Sequence, residues 1–364
     1  MCTAKGVIML PISVCIIAKN EAKKMEKFLS KIRPYDWEIV VVDTGSTDGT
    51  REIAEKYADI LADFEWVQDF SAARNYSISL ATNEYILVLD CDEYLVDADI
   101  EQMLQLMQEN PEKMGCLARI NHYEANHMDT LYVDYVERLF SKKLFHYEGP
   151  IHEQLVPFDG ISYLYYQFPL SVDHYGYLLS DEEMDAKVKR NLDILMNDLE
   201  KNPDKQYVYF QIGQCYNTSK EYDKAYEAYH KSIQYPLDPA CEYHHMLIIA
   251  YGYSMLYTNR VKEAMKLLDY SKDFGFIADF HCLMGDIYLR NNYPLKALME
   301  YIQASTCEKQ FLIGANSNIP AYNIGFINEL LGDKDTALMH YKRCRDFPMA
   351  DKKIKELSRL LGHS

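Results

Sequence analysis

One stretch limits what this chain can become more than any other: Tyr85-Ile86-Leu87-Val88-Leu89-Asp90-Cys91-Asp92-Glu93. Five apolar or aromatic residues run without a break, enough for a strand covered on both faces. Three carboxylates then arrive within four positions. A strand buried on both faces asks for a sheet flanked by helices, and open α/β sheets bind ligands at the carboxyl ends of their strands. Asp90 and Asp92, two apart on an extended chain, can turn to one cation through oxygen ligands. The same letters also fit a strand followed by an acidic turn, so the rest of the chain has to decide.

At 364 residues there is room for two or three domains, and a 48% hydrophobic composition supports a sizeable core. The net charge of -17 argues against a nucleic-acid backbone as the main partner. It still allows an anionic nucleotide held through a metal. The nine cysteines are scattered, odd in number and without a C-x-x-C pair, which suggests reduced thiols in a cytoplasm. The longest N-terminal apolar run, Val7 to Ala18, is broken by Pro11 and Ser13. It is too short to span a bilayer and lacks a small-residue cleavage site. The expectation is a soluble, cytoplasmic chain with no transmembrane segment.

Upstream of the acidic stretch, strands and helices alternate. Ile12–Ala18 reads as a strand, and Asn20 as a helix cap before a helix from Glu21 to Ile32, with Met25, Phe28, Leu29 and Ile32 on one side. Trp37 to Asp43 is a second strand ending in acid. The glycine- and hydroxyl-rich turn Thr44–Thr50 then opens a helix through Tyr57. Ile60 to Phe64 is a short third strand, and a helix starts at Asp69 and runs to about Ala81. Alternation of this kind predicts a parallel, doubly wound sheet. It places Asp43 and Asp90 on the same edge, the expected ligand crevice.

Three blocks in this region resemble the inverting family 2 glycosyltransferases of GT-A fold: Ser13-Val14-Cys15-Ile16-Ile17-Ala18-Lys19-Asn20-Glu21, Val41-Val42-Asp43-Thr44-Gly45-Ser46-Thr47-Asp48-Gly49-Thr50, and Asp90-Cys91-Asp92-Glu93. Their order and gaps match as well as the blocks do. The resemblance implies that Ala18, Asn20, Glu21 and Asp43 hold the base and ribose of a nucleotide-sugar donor, a UDP-sugar by preference. It puts Arg74, with Asn75 beside it, near the diphosphate. It makes Asp92 the principal ligand of Mn²⁺ or Mg²⁺ and turns Asp90 to ribose or metal. The chemistry agrees: transfer builds negative charge on a leaving diphosphate, which a metal and an arginine can stabilise. Asp43 could instead cap its own turn, and Arg74 could form an ordinary salt bridge.

After the acidic stretch, Ala98 to Gln108 is helical, and Met114–Asn121 and Thr130–Ser141 read as strands. Arg138-Leu139-Phe140-Ser141, Gly149-Pro150-Ile151-His152-Glu153 and His174-Tyr175-Gly176 resemble the tetratricopeptide-linked branch of the same family. Inverting transfer needs a base near the acceptor, opposite the leaving group. Glu153 is the candidate, with Glu148 and Asp134 behind it, and His152 is placed to shape the acceptor site. His174 falls where GT-A enzymes often supply a late metal-ligating histidine, and neutral imidazole suits Mn²⁺. A lone histidine can equally be structural.

Asp181 to Glu200 reads as a polar connector helix stopped by Pro203. Beyond it a pattern recurs: Gly213 and Ala225, Gly252 and Ala264, Gly285 and Ala297, and Gly325 and Ala337 are each twelve apart. Tyr229, Leu268, Tyr301 and Tyr341 each follow the alanine by four. This resembles tetratricopeptide repeats, whose small residues let two antiparallel helices pack closely. The expected layout is a GT-A domain over 1–178, a connector over 179–203, and about four repeats with a capping helix over 204–364. Bacterial relatives of this two-part layout include peptide S- and O-glycosyltransferases, so the resemblance implies a peptide, protein or glycan acceptor. Two rivals stay open: an interaction protein carrying an inactive GT-A domain, and nucleotidyl transfer on the same fold. The residues Tyr243, Met246, Tyr253, Tyr257, Phe274 and Phe276 exceed the packing positions, which suggests either a homodimer through the repeats or tyrosines half-buried in the superhelix.

Overall fold

The computed structural model describes residues 11–125, 128–161, 164–176, 180–201, 205–344 and 347–362. The chain divides into two compact units, one through Ile194 and one from Leu195 onward. The start of the apolar run at Val7, the segment ends at 178 and 203, and the helix stop at Pro203 lie outside the described residues.

In the first unit β1 (Ile12–Ala18), β2 (Glu38–Asp43), β3 (Ile60–Asp63) and β4 (Tyr85–Val88) run parallel in the order β3-β2-β1-β4. Their apolar runs are buried because helices cover the sheet. The helix α1 (Ala22–Ile32) buries Met25, Phe28, Leu29 and Ile32, the stripe its period predicts. A short α2 (Thr50–Ala54) follows the hydroxyl-rich turn. The helix α3 (Phe70–Leu80) is capped by Asp69, whose side chain accepts from the Ala72 N–H at 2.9 Å.

The remainder of this unit departs from a wholly parallel sheet. It comprises β5 (Glu93–Ala98), α4 (Ile100–Glu109), β6 (Met114–Ala125), β7 (Met128–Ser141), β8 (Phe145–Glu148), β9 (Gln154–Pro157), β10 (Tyr165–His174) and, as far as Ile194, α5 (Asp181–Lys201). One eight-stranded mixed sheet results, β3-β2-β1-β4-β7-β6-β10-β5. The strand β7 is antiparallel to both β4 and β6. The link from β6 to β7 is far too short for a parallel crossover, so those two strands must form a hairpin. The strands β5, β8, β9 and β10 are absent from the sequence reading. The acidic stretch also breaks where the sequence suggested one strand. After Val88 the chain turns, with the Glu93 N–H donating to the Asp90 carbonyl at 2.9 Å, and Glu93 opens β5.

The second unit is all helical: α6 (Gln206–Thr218), α7 (Tyr222–Ser232), α8 (Glu242–Tyr257), α9 (Val261–Ala264), α10 (Ser271–Phe274), α11 (Ala278–Arg290), α12 (Pro294–Ala304), α13 (Asn318–Leu330), α14 (Lys334–Tyr341) and α15 (Pro348–Leu361). The repeat spacing has a direct packing cause. A Cβ on Gly213, Gly285 or Gly325 would lie within 3 Å of the buried rings of Tyr229, Tyr301 and Tyr341 respectively. In the second repeat Gly252 instead meets Leu283 and Leu267, and its second helix is broken into α9, a 3-10 segment over Met265–Tyr270 and α10. Phe274, expected among the surplus aromatics, is buried in the core, and Tyr243 and Tyr253 pack partly against it. Met246, Tyr257 and Phe276 are exposed. The closing helix α15 buries Leu357 while Leu360 stays exposed. Among the described residues no helix is long and apolar enough to cross a membrane.

Since Tyr301 is fully buried, Gly285→Ala should overpack that seam and lower the stability of the repeat unit by about 1–3 kcal/mol. Urea unfolding followed by tyrosine fluorescence reads this, and an unchanged midpoint would contradict the packing account.

Candidate active site

The expected crevice edge is formed by the carboxyl ends of β1, β2 and β4, where two loops are stitched together. The Ala18 carbonyl accepts from the Thr44 N–H at 2.9 Å and from its hydroxyl at 3.1 Å. Asn20 takes a left-handed backbone (φ 57°); its N–H donates to Ser46 Oγ at 2.9 Å and its Oδ1 accepts from the Thr47 N–H at 2.8 Å. It is therefore a loop-to-loop tie, not the cap of α1. That helix starts after Glu21, and the Ala22 N–H is met by Asp48 Oδ2 at 3.1 Å. The Glu21 N–H donates to Thr50 Oγ1 at 2.7 Å, and its carboxylate lies 3.2 Å from Lys24. Burial raises the Glu21 carboxyl above its ordinary value against the pull of Lys24. Asp43 is buried, and its Oδ1 accepts from the N–H groups of Gly45 (3.2 Å) and Ser46 (2.9 Å), closing its own turn.

Behind this rim stands a buried ion network. Arg74 of α3 donates through Nε to Glu153 Oε1 and through Nη2 to Asp90 Oδ1 at 2.8 Å. Arg138 of β7 donates through Nη2 to Asp90 Oδ2 and Glu93 Oε1, both at 2.8 Å. Both Asp90 oxygens are thus taken by guanidiniums. Burial alone would push Asp90 up, but the two arginines hold its carboxyl well below the usual range. Glu93, 1% exposed, is instead pushed up by burial despite Arg138. Among the described residues, Arg74 Nη1, Arg138 Nε and the Tyr147 hydroxyl are buried without a partner. The Arg74 guanidinium carbon lies 5.6 Å from the centre of the Tyr147 ring. Buried unpaired donors are costly, so they mark a place prepared for an acceptor group.

A second cluster stands at the end of β10. His174 Nε2 lies 3.8 Å from Asp92 Oδ2, and His174 Nδ1 is 2.7 Å from Asn121 Oδ1. A Cβ on Gly176 would fall 2.4 Å from His174 Nε2 and 2.7 Å from Asp92 Oδ2, so any larger residue there would crowd that pair. One carboxylate oxygen and one imidazole nitrogen fit a divalent ion that takes its remaining ligands from a diphosphate or water. Among the described residues no three such side chains converge, so the protein alone does not complete a coordination shell. Burial pushes the His174 imidazole below its ordinary value despite Asp92, favouring the neutral form a metal needs. Lys187 of α5 also faces this charge; burial pushes its ammonium down against the pull of Asp92.

Other expected residues are engaged elsewhere. The Asn75 amide pairs with the Tyr147 backbone at 2.8 and 2.9 Å, bolting α3 to β8. Glu148 is exposed beside His146, and Asp134 is held by Arg119 and Asn121. His152 is exposed with φ 52°. The structure adds Arg138, Glu93, Asn121, Gly176, Tyr147 and Lys187 to the set. Arg138 stood in an Arg-Leu-Phe block and Glu93 in the acidic stretch, so both were visible but unassigned. The roles of Asn121 and Lys187 depend on pairings distant in sequence, and no local signal carries them.

Residues 13–159 match the family model described as Glycosyl transferase family 2, and residues 207–238 match Tetratricopeptide repeat. A TPR repeat-containing protein of Synechococcus elongatus is 31% identical over 219 residues, covering 57% of this chain and 53% of that protein. The SPbeta prophage-derived glycosyltransferase SunS of Bacillus subtilis is 28% identical over 234 residues, covering 60% of this chain and 52% of its own length. The chain thus spans about half the length of these curated relatives. The crystal structure of MamA overlaps 49% of this chain and 95% of its own, at 16% identity and a TM-score of 0.38.

Removing Arg138 would leave Glu93 buried without its main cation. Arg138→Gln should cost about 3–5 kcal/mol in urea unfolding, and a loss under 1 kcal/mol would contradict the network. Asp90 adds a pH signature. Its folded value is depressed, so its stabilisation is present above the ordinary aspartate value of about 3.9 and fades as pH falls below it.

Proposed function

We propose that this chain, a family 2 glycosyltransferase domain of GT-A fold joined to tetratricopeptide repeats, moves a sugar from a nucleotide-sugar donor to an acceptor with inversion. The observation that carries this reading is the Asp92–His174 pair, left uncrowded by Gly176, beside a crevice edged by Asp43 and Arg74. In this reading the stitched loops at Ala18–Glu21 and Asp43–Thr50 take the base and ribose of a UDP-sugar. Asp92 and His174 hold Mn²⁺ or Mg²⁺, which supplies positive charge against the diphosphate. Arg74, with its unpartnered Nη1, adds a donor there. Asp90, with both oxygens on arginines, holds those cations in place rather than reaching the metal.

The reaction is a single displacement. The acceptor heteroatom bonds to the anomeric carbon from the far side. The bond from that carbon to the diphosphate oxygen breaks, and its electron pair leaves with the nucleotide. Glu153 takes the acceptor's proton. His152, exposed one residue earlier, shapes the acceptor entrance. The acceptor class is a peptide, protein or glycan, presented through the repeats. The rival of an inactive domain is disfavoured because Asp43, Arg74, Asp90, Asp92, Glu153 and His174 are all present.

Pairing of two copies through the repeats is a further part of the proposal. Of the residues expected at that interface, Met246, Tyr257 and Phe276 are 39%, 56% and 48% exposed. Light scattering at micromolar concentration should give a dimer that Tyr257→Glu splits; a monomeric wild type would exclude it.

Turnover tests the activity. UDP should be released from a UDP-sugar in the presence of Mn²⁺ or Mg²⁺ and an acceptor, and pyrophosphate should not, which separates sugar transfer from nucleotidyl transfer. Asp92→Ala should abolish metal-dependent release. Glu153→Gln should keep donor binding and slow transfer roughly a hundredfold or more. Absence of nucleotide binding under all these conditions would sink the reading.

A further inference from the structure

We infer that Asn121 is a positioning residue that decides which ring nitrogen of His174 carries the proton, and so whether a lone pair or a hydrogen faces Asp92. Asn121 is fully buried on β6, and every polar contact it makes has a fixed direction. Its Nδ2 lies 2.8 Å from Asp134 Oδ1 and 3.3 Å from the Arg119 carbonyl. Asp134 is clamped by Arg119, with Nε to Oδ1 at 3.1 Å and Nη2 to Oδ2 at 2.7 Å, which keeps it ionised. An ionised carboxylate and a backbone carbonyl can only accept. The amide nitrogen of Asn121 must therefore point at them, and its carbonyl oxygen must point the other way.

That oxygen is the atom 2.7 Å from His174 Nδ1. A carbonyl oxygen can only accept, so Nδ1 must carry the proton. In the neutral ring the lone pair then falls on Nε2, the atom 3.8 Å from Asp92 Oδ2. With the amide turned over, Nδ1 would accept and Nε2 would carry the proton toward Asp92, presenting a hydrogen where a ligand atom is needed. The chain Arg119–Asp134–Asn121–His174 thus transmits a choice from a partly exposed ion pair to the crevice. Gly176 completes the arrangement by leaving out the Cβ that would crowd Nε2. The consequence for metal affinity rests on the proposed metal role of Asp92 and His174; the tautomer itself does not. Partners that orient ligating histidines are worth roughly 10–100-fold in metal affinity.

Two readouts test this on the full chain. In the metal-free protein at pH 8, ¹⁵N spectra of the histidine rings, assigned to His174 by comparison with His174→Gln, should show the proton on Nδ1. Asn121→Leu, close in size but without the acceptor, should remove that bias. It should also weaken Mn²⁺ binding, followed by electron paramagnetic resonance, at least tenfold, with no further loss when added to His174→Gln. If Asn121→Leu does not fold, Asp134→Asn carries the same test from the partly exposed end of the chain. It removes one of the two acceptors that hold the Asn121 amide, the Arg119 carbonyl remaining, and should lessen the bias of His174 toward the Nδ1 proton. A wild-type His174 protonated on Nε2, or variants that change neither tautomer nor Mn²⁺ affinity, would overturn the inference. If the tautomer responds as expected but the wild type takes up no Mn²⁺ even with UDP, Asn121 keeps its orienting role and the metal reading falls.

Discussion

Asp90 stands at the end of a fully apolar strand with one guanidinium on each oxygen, Arg74 from α3 and Arg138 from β7. Those two contacts tie the parallel half of the sheet to the antiparallel half at the level of the crevice. Buried charges are expensive, and here Asp90, Glu93 and Glu153 are met by Arg74, Arg138 and, 3.7 Å from Glu93, Arg119. The rest of the crevice depends on this arrangement. The turn from Asp90 to Glu93 holds Asp92 at the rim, and the Tyr175 N–H fastens it by donating to the Asp92 carbonyl at 3.2 Å. That bond brings the end of β10, and His174 with it, to the end of β4.

The division of labour between the carboxylates follows from these contacts. Asp90, Asp92 and Glu93 look interchangeable as letters, yet each meets a different environment. Asp90 is charge-paired on both oxygens, and Glu93 is buried at the start of β5. Asp92 is left beside an imidazole and a glycine. Spacing alone suggested that Asp90 and Asp92 could share one cation. In the fold both Asp90 oxygens accept from arginines distant in sequence, while Asp92 stands beside His174.

The parallel half of the fold was legible because its signals are local. Predominantly apolar runs gave β1 to β4, the period of Met25, Phe28, Leu29 and Ile32 gave α1, and Asp69 announced α3. The repeats were legible for the same reason: a glycine under a tyrosine ring leaves a fixed spacing in the sequence. In the mixed half α4, β6 and β7 were read, but β5, β8, β9 and β10 were not, because they are short or polar-rich and depend on partners far along the chain. Site residues divide in the same way. Asp43, Arg74, Asp92 and His174 stand in recognisable blocks. Asn121 and Lys187 owe their place to tertiary pairing, and Asn20 looked like a cap because its side chain ties two loops instead.

The central claim is that the crevice at the ends of β1, β2 and β4 is a nucleotide-sugar site centred on Asp92 and His174. A crystal structure of the full chain with UDP and Mn²⁺ tests it most directly. The account predicts an anomalous manganese peak between Asp92 Oδ2, His174 Nε2 and the diphosphate, with the uracil beside Asp43. A nucleotide bound elsewhere, or a manganese peak away from both side chains, would contradict it.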